Sequence, residues 1–339
     1  MHGDTETVDE GFLAALGVHR LPVPVPFVEA GGPVNVYAVL DEDGRWTLFD
    51  TGIGTDEGVA ALREGAAAAG VDLRRLSRIL ISHGHIDHFG NAQALAEESG
   101  APVYVHDADR AKVLGHERFA VLLARHRDYF LTALGVPGDV LEQMASRASS
   151  SRPMSRPVDE ARLRSLEPGE RLRFRHFDAV VEHHPGHTPG LVCLHAPALG
   201  LFFADDHVLA RVSPNPLLDL SQGEGETKFR ALERYLESAR RVRDLELRAV
   251  LPGHGPSFTG HRPLLDGLFE FYERRQAKLL ARLEAGPASV YEALDVLFPR
   301  RDLPRLVLML SEVLGNLEVL EAQGRARRCG DGVVRYERA

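Results

Sequence analysis

Cysteine is almost absent. Cys193 and Cys329 are the only two in 339 residues, too few for a disulfide framework or a thiolate zinc cluster, so both are expected to be reduced thiols. Lysine is nearly as scarce, with only Lys112, Lys228 and Lys278, so arginine carries most of the basic charge. Basic charge is also outnumbered: 40 Lys plus Arg against 49 Asp plus Glu give a net charge of −9, which opposes general attraction to polyanions. Nucleic acid is therefore not an expected partner. No apolar run approaches the roughly 18 to 20 residues that span a bilayer, so no membrane partner is expected. The chain begins Met1-His2-Gly3-Asp4 without the basic start and apolar stretch of a secretory signal, and a cytoplasmic protein is expected. The sequence has no internal repeat at solenoid periods and no transmembrane or collagen-like low-complexity tract.

What is present is a globular composition, 44% apolar and 26% charged, enough for one large domain or two ordinary ones. Residues Val34–Leu40 and 46–50 flank Asp41-Glu42-Asp43-Gly44 and predict a hairpin. Residues 56–70 predict a helix closed by Gly70, and 78–82 a buried strand. A helix at 91–99 and a strand at 102–106 follow, so strand and helix alternate. From 107 to 169 the pattern turns helical, which predicts an inserted subdomain. Strands resume at 171–182, 191–195 and 201–204; a helix at 227–244 leads to a last strand at 249–251. The tail, 261–339, predicts helices at 264–285, 289–297 and 303–323 and a small hairpin, the order of a winged helix. Its charges nearly cancel, and Glu312, Glu318 and Glu321 on the last helix would repel phosphate, so the tail is expected to be a packing or dimer element.

The chemistry concentrates in His83-Gly84-His85-Ile86-Asp87-His88, directly after a buried strand. Four potential ligands in six residues can be aimed at one point by a loop, whereas a core would have to satisfy each separately. Further candidates follow later strands: His187 in Pro185-Gly186-His187-Thr188-Pro189-Gly190, Asp206 after Leu201-Phe202-Phe203-Ala204, and His254 in Pro252-Gly253-His254-Gly255. Five histidines and two aspartates exceed what one tetrahedral ion uses and suit two divalent ions sharing a carboxylate and a water. Zinc is the first expectation, iron or manganese the alternatives.

These elements resemble the metallo-beta-lactamase-fold hydrolases, specifically the hydroxyacylglutathione-hydrolase-like members and the beta-lactamase-like branch with a C-terminal winged helix. The resemblance implies an α+β fold: a four-layer αββα sandwich over 1–260, with 107–169 as a helical lid insertion, and a winged-helix-like domain over 261–339. It implies His83, His85 and His187 on one ion, Asp87, His88 and His254 on the other, and Asp206 bridging, with Asp87 and Asp206 as the catalytic carboxylates. Asp50, in Phe49-Asp50-Thr51-Gly52, and His207 are expected behind the ligands as orienting groups. His85 in place of a glutamate, next to Ile86, argues against the oxygen-reducing di-iron members. Asp205 stands where the family usually has glycine, so choosing Asp206 as the bridge rests on the following His207-Val208-Leu209. The tail lacks the basic pattern that holds glutathione in glyoxalase II.

The expected activity is hydrolysis of a small ester-like bond, a thioester or lactone, by a hydroxide shared between the ions. A phosphodiesterase or ribonuclease is the alternative enzyme, and a metal-sensing DNA-binding regulator the alternative of another class. Phe119, Tyr129, Phe130 and Met144 are expected on a lid over a small-molecule substrate. A homodimer is the one assembly considered.

Overall fold

The computed structural model describes residues 5–26, 31–115, 119–150, 154–221, 223 and 228–339, without the side chains of 119, 120 and 148–150. Its strands are β1 (Val18–Val23), β2 (Val34–Leu40), β3 (Trp46–Phe49), β4 (Leu76–Ile81), β5 (Val103–Val105), β6 (Leu163–Ser165), β7 (Arg171–Arg173), β8 (Asp178–His183), β9 (Val192–Ala196), β10 (Leu201–Asp205), β11 (Ala249–Pro252), β12 (Ala326–Cys329) and β13 (Arg335–Arg338). The helices are α1 (Glu10–Ala15), α2 (Asp56–Ala68), α3 (Ile86–Phe89), α4 (Ala92–Ser99), α5 (Arg110–Val113), α6 (Phe119–Arg125), α7 (Gly138–Ser150), α8 (Ala231–Arg243), α9 (His261–Glu284), α10 (Leu294–Leu297) and α11 (Leu306–Ala322).

Strand β2 shows how period-two alternation builds the sandwich. Val34, Val36 and Ala38 face one core, with Leu48, Ile79, Ile81 and the helical residues Leu62, Ala66 and Leu95. Tyr37 and Val39 face a second core, with Phe49, Leu80, Val181, Leu194, Phe203 and Leu251. The first core thus packs helices against a sheet and the second packs two sheets together. The six-stranded sheet runs in the order β1-β2-β3-β4-β5-β6 and the five-stranded sheet in the order β11-β10-β9-β8-β7. Parallel pairing of β3 with β4 and of β10 with β11 brings the carboxyl ends of these strands to one end of the sandwich. Because β8 and β10 both run antiparallel to β9, the carboxyl end of β8 lies there too.

The described residues fall into two compact units. One takes in 1–116, 153–214 and 239–267, with both sheets; the other takes in 117–152, 215–238 and 268–339. These limits differ from the sequence division at 260 and from the insertion limits of 107–169. Strand β6, inside that insertion, pairs with β5 in the six-stranded sheet, and the helical stretch from 119 onward shares a core with the tail. In that core Leu123, Phe130, Leu134, Leu141 and Met144 pack with Leu279, Leu310, Val313 and Leu317.

Three of the side chains expected on a lid lie in this core: Phe130 is completely buried, and Tyr129 and Met144 are buried with it. The side chain of Phe119 lies outside the described residues. The tail has the expected order of helices and a hairpin, but α11 is buried from Met309 to Leu320. A helix apolar nearly all round belongs inside a core. Its buried carboxylates are internal: Lys228 Nζ is 2.8 Å from Glu318 Oε1, and Arg275 Nε is 3.2 Å from Glu312 Oε1. Among the described residues no helix is long and apolar enough to cross a membrane.

Candidate metal centre

The seven expected ligands meet at the carboxyl ends of the strands. His83 follows β4, and Asp87 and His88 lie on the single turn α3. His187 is on the loop between β8 and β9, Asp206 follows β10, and His254 follows β11. The side chains of His83, His88, His187, Asp87, Asp206 and His254 are buried, and His85 is half-buried.

Three groups of donor atoms lie within reach of a common point: His83, His85 and His187; Asp87, His88 and His254; and His83, His88, Asp205 and Asp206. In the first, His85 Nδ1 comes within 2.9 Å of both His83 Nε2 and His187 Nε2. One Nδ1 proton cannot serve two such contacts, whereas a cation satisfies all three lone pairs. In the second, His254 Nε2 is 3.5 Å from Asp87 Oδ2, and His88 Nε2 is 3.8 Å from the same oxygen. Asp206 faces both groups: Oδ2 lies 3.4 Å from His187 Nε2 and 3.5 Å from His88 Nε2, and Oδ1 lies 3.6 Å from His254 Nε2. His88 Nε2 and Asp206 Oδ1 are buried without a hydrogen-bond partner. Buried acceptors in this state are costly, and a divalent cation between them is what the donor set fits.

The nitrogens turned away from this space are held from behind. His88 Nδ1 donates to Asp50 Oδ2 at 2.9 Å, while Ser82 donates its backbone N–H and its hydroxyl to the two Asp50 oxygens, each at 2.8 Å. Asp50 thus stands where the sequence places an orienting group. Asp205 Oδ1 accepts the Asp206 N–H at 2.8 Å and lies 3.2 Å from His83 Nδ1 and 3.3 Å from His88 Nδ1. The two adjacent aspartates therefore divide, Asp205 toward the Nδ1 side and Asp206 toward the Nε2 side. Asp50 and Asp205 have φ of 65° and 47°, left-handed values that cost a non-glycine residue roughly 1 kcal/mol or more. Gly253 leaves room for the Asp206 side chain, since a Cβ there would collide with Asp206 Oδ1. His207 is buried, its ring 4.9 Å from that of His184.

Burial lowers His85 to about 3 and His187 to about 4, with a neighbouring imidazole adding to each. Both therefore present neutral lone pairs at pH 7. At His254 burial also lowers the value, but the Asp206 and Asp87 carboxylates outweigh it and raise the ring to about 9. Burial would raise Asp87 and Asp206, yet the imidazoles beside them hold both well below the usual carboxylate range.

The sequence reading missed the supports of the ligand loops. Asn35 Nδ2 donates to Pro252 O at 2.8 Å and Gly255 O at 2.7 Å, and the Tyr37 hydroxyl donates to Pro252 O at 2.8 Å. A lone amide within the apolar run Val34-Asn35-Val36-Tyr37 was the available signal. Asp109, within residues 107–169, is completely buried and accepts hydrogen bonds from the loops of His83 and His187.

The sequence pattern of the metallo-beta-lactamase superfamily matches residues 30–254, which contain all seven of these residues. The chain belongs to the metallo-beta-lactamase superfamily. Its similarity to the probable metallo-hydrolase YqjP of Bacillus subtilis is 29% identity over 312 residues, 90% of this chain and 92% of the relative. The crystal structure of a beta-lactamase domain protein from Burkholderia ambifaria superposes with a TM-score of 0.78 at 27% identity, covering 99% of this chain and 94% of that one. A more distant relative, the acyl-coenzyme A thioesterase MBLAC2 of Gallus gallus, is 27% identical over 246 residues, 70% of this chain and 77% of its own. Membership and the clustered histidines and aspartates together make this a metallo-hydrolase with a divalent metal centre.

Proposed function

We propose that the chain is a binuclear hydrolase that cleaves a small ester-like bond, a thioester or a lactone. The observation that carries this reading is Asp206, whose carboxylate faces nitrogens of both ligand groups. His83, His85 and His187 would hold one ion, Asp87, His88 and His254 the other, with Asp206 between them. The nitrogen and oxygen donor set favours zinc, with iron or manganese as alternatives. When bound, such ions would supply Lewis acidity and lower the pKa of a coordinated water toward about 7.

The chain's own groups arrange this chemistry. Asp50 fixes the Nδ1 proton of His88, so Nε2 points into the site, and Asp205 does the same for His83. No side-chain nucleophile competes among the described residues at the cluster. Ser82 is buried with its hydroxyl committed to Asp50, and Cys193 is buried with its thiol pushed well up by desolvation. Water is therefore the attacking group. Asp87 and Asp206, held ionised by the imidazoles beside them, are the carboxylates that would hold the ions and orient the water.

The choice of a thioester is supported by the likeness to the chicken acyl-coenzyme A thioesterase. A small-molecule substrate without a nucleic-acid partner is supported by the net charge of −9 and by the burial of α11. The test is one panel of acyl thioesters, lactones and phosphodiesters given to metal-loaded protein. The reading expects kcat/KM highest on a thioester or lactone, and a phosphodiester cleaved at least a hundredfold better than any of them would replace it with a nuclease.

A further inference from the structure

The loop of His83 and His85 and the turn of His187 are far apart in sequence, and both rest on one carboxylate. Asp109 Oδ2 accepts the Gly84 N–H at 2.8 Å and the Thr188 hydroxyl at 2.6 Å. Its Oδ1 accepts the Gly190 N–H at 3.1 Å and Lys112 Nζ at 2.8 Å. The carboxylate is completely buried, and Lys112, with little exposure, supplies the countercharge.

Two glycines of the ligand loops owe their identity to this short segment. A Cβ on Gly84 would meet Lys112 Cβ at 2.6 Å, and one on Gly190 would meet Asp109 Cγ at 2.8 Å. The segment 109–112 is thus packed against both loops as well as hydrogen-bonded to them. The remaining ligands are held by other residues. His88 is braced by Asp50, and the loop of His254 by Asn35 and Tyr37.

From this division we infer that Asp109, charge-balanced by Lys112, is the positioning residue of the His83, His85 and His187 group and sets the ion affinity of that group alone. The inference deepens the two-ion reading above and rests on it. An ionised carboxylate with four donors locks two loops to one another. An amide at the same position can keep some of these contacts, but it loses the charge that balances Lys112 and turns a donor toward the Gly84 or Gly190 N–H. A small relative shift of the loops would then spread the three imidazole nitrogens, while the Asp87, His88 and His254 group would keep its supports. Loss of such outer partners typically weakens metal binding by about ten- to a hundredfold.

The experiment is cobalt(II) titration of the metal-free full-length chain, followed by visible absorption and elemental analysis. His187→Ala and His254→Ala mark the spectrum left when one or the other group is lost. Asp109→Asn should bind one cobalt as the wild type does and the second at least tenfold more weakly, with a one-ion spectrum matching that of His187→Ala. Thr188→Val keeps the Asp109 and Lys112 charges and removes one donor, and should show the same selective loss to a smaller degree, which keeps the test intact if Asp109→Asn fails to fold. Unchanged affinities in a folded variant, or equal weakening at both groups, overturn the inference while leaving the two-ion reading in place. A wild-type chain that takes up fewer than two cobalt ions overturns both.

Discussion

His254 shows how a single side chain couples the centre to pH. Its Nδ1–H donates to Gly32 O at 3.2 Å, so Nε2 is the nitrogen left for an ion. In the metal-free chain that nitrogen carries a proton at pH 7, because the carboxylates around it overcome burial and raise the ring to about 9. The folded value lies above the unfolded one near 6.5, so the proton stabilises the metal-free fold below about pH 6.5, and this contribution is lost as pH rises through 9. Ion uptake must expel the proton, and below about pH 9 each unit of rising pH should strengthen binding by up to about tenfold. Calorimetry of zinc uptake in buffers of different ionisation enthalpy should therefore count protons released at pH 7; uptake without release would contradict the assignment of His254. The neighbouring aspartates give a second outcome. Asp206→Ala should deplete both ions, because its oxygens face both groups, whereas Asp205→Ala should retain more metal because Asp205 Oδ1 faces the Nδ1 nitrogens and the Asp206 N–H. Elemental analysis showing equal loss, or loss only in Asp205→Ala, would overturn the assignment of Asp206 as the bridge.

At the scale of elements, what was legible in the sequence followed the strength of the local signal. The hairpin of β2 and β3 was readable because alternating apolar residues flank a turn of Asp, Glu and Gly, and α2 because its apolar residues repeat at helical spacing before Gly70. The ligand loop was readable because four donors crowd into six residues. Strand β1 was not, because Pro22 interrupts it and only an edge position, which β1 occupies, tolerates that. Strand β6 has three residues and no alternation to detect, and the stretch 171–182 divides into two strands at the turn where Phe174 N–H donates to Phe177 O. Asp109 was hidden because its four partners come from three separate segments. The glutamates of helix α11 were read as a phosphate-repelling set, yet Glu312 and Glu318 are buried, with Arg275 and Lys228 supplied from elsewhere in the second unit. Lys228→Met should leave Glu318 buried without its counterion and cost about 3 kcal/mol or more in urea unfolding. Lys228→Met with Glu318→Leu should recover most of that loss, and a neutral single variant would show that the pair contributes nothing.

For the whole molecule, the separation into two compact units predicts that stability and metal binding respond to different residues. Phe130 belongs to the second unit's core and no ligand does. Phe130→Ala should lower stability by about 3 to 5 kcal/mol through the cavity it leaves, with two ions still bound in the folded protein; metal loss in a stably folded Phe130→Ala would show that the helical stretch supports the centre. The most direct measurement of the central claim is anomalous diffraction at the zinc edge from crystals of the zinc-loaded chain. Two peaks are predicted, one among His83, His85 and His187 and the other among Asp87, His88 and His254, with the Asp206 carboxylate between them. A single peak, or a peak outside these two groups with either group empty, would contradict the account.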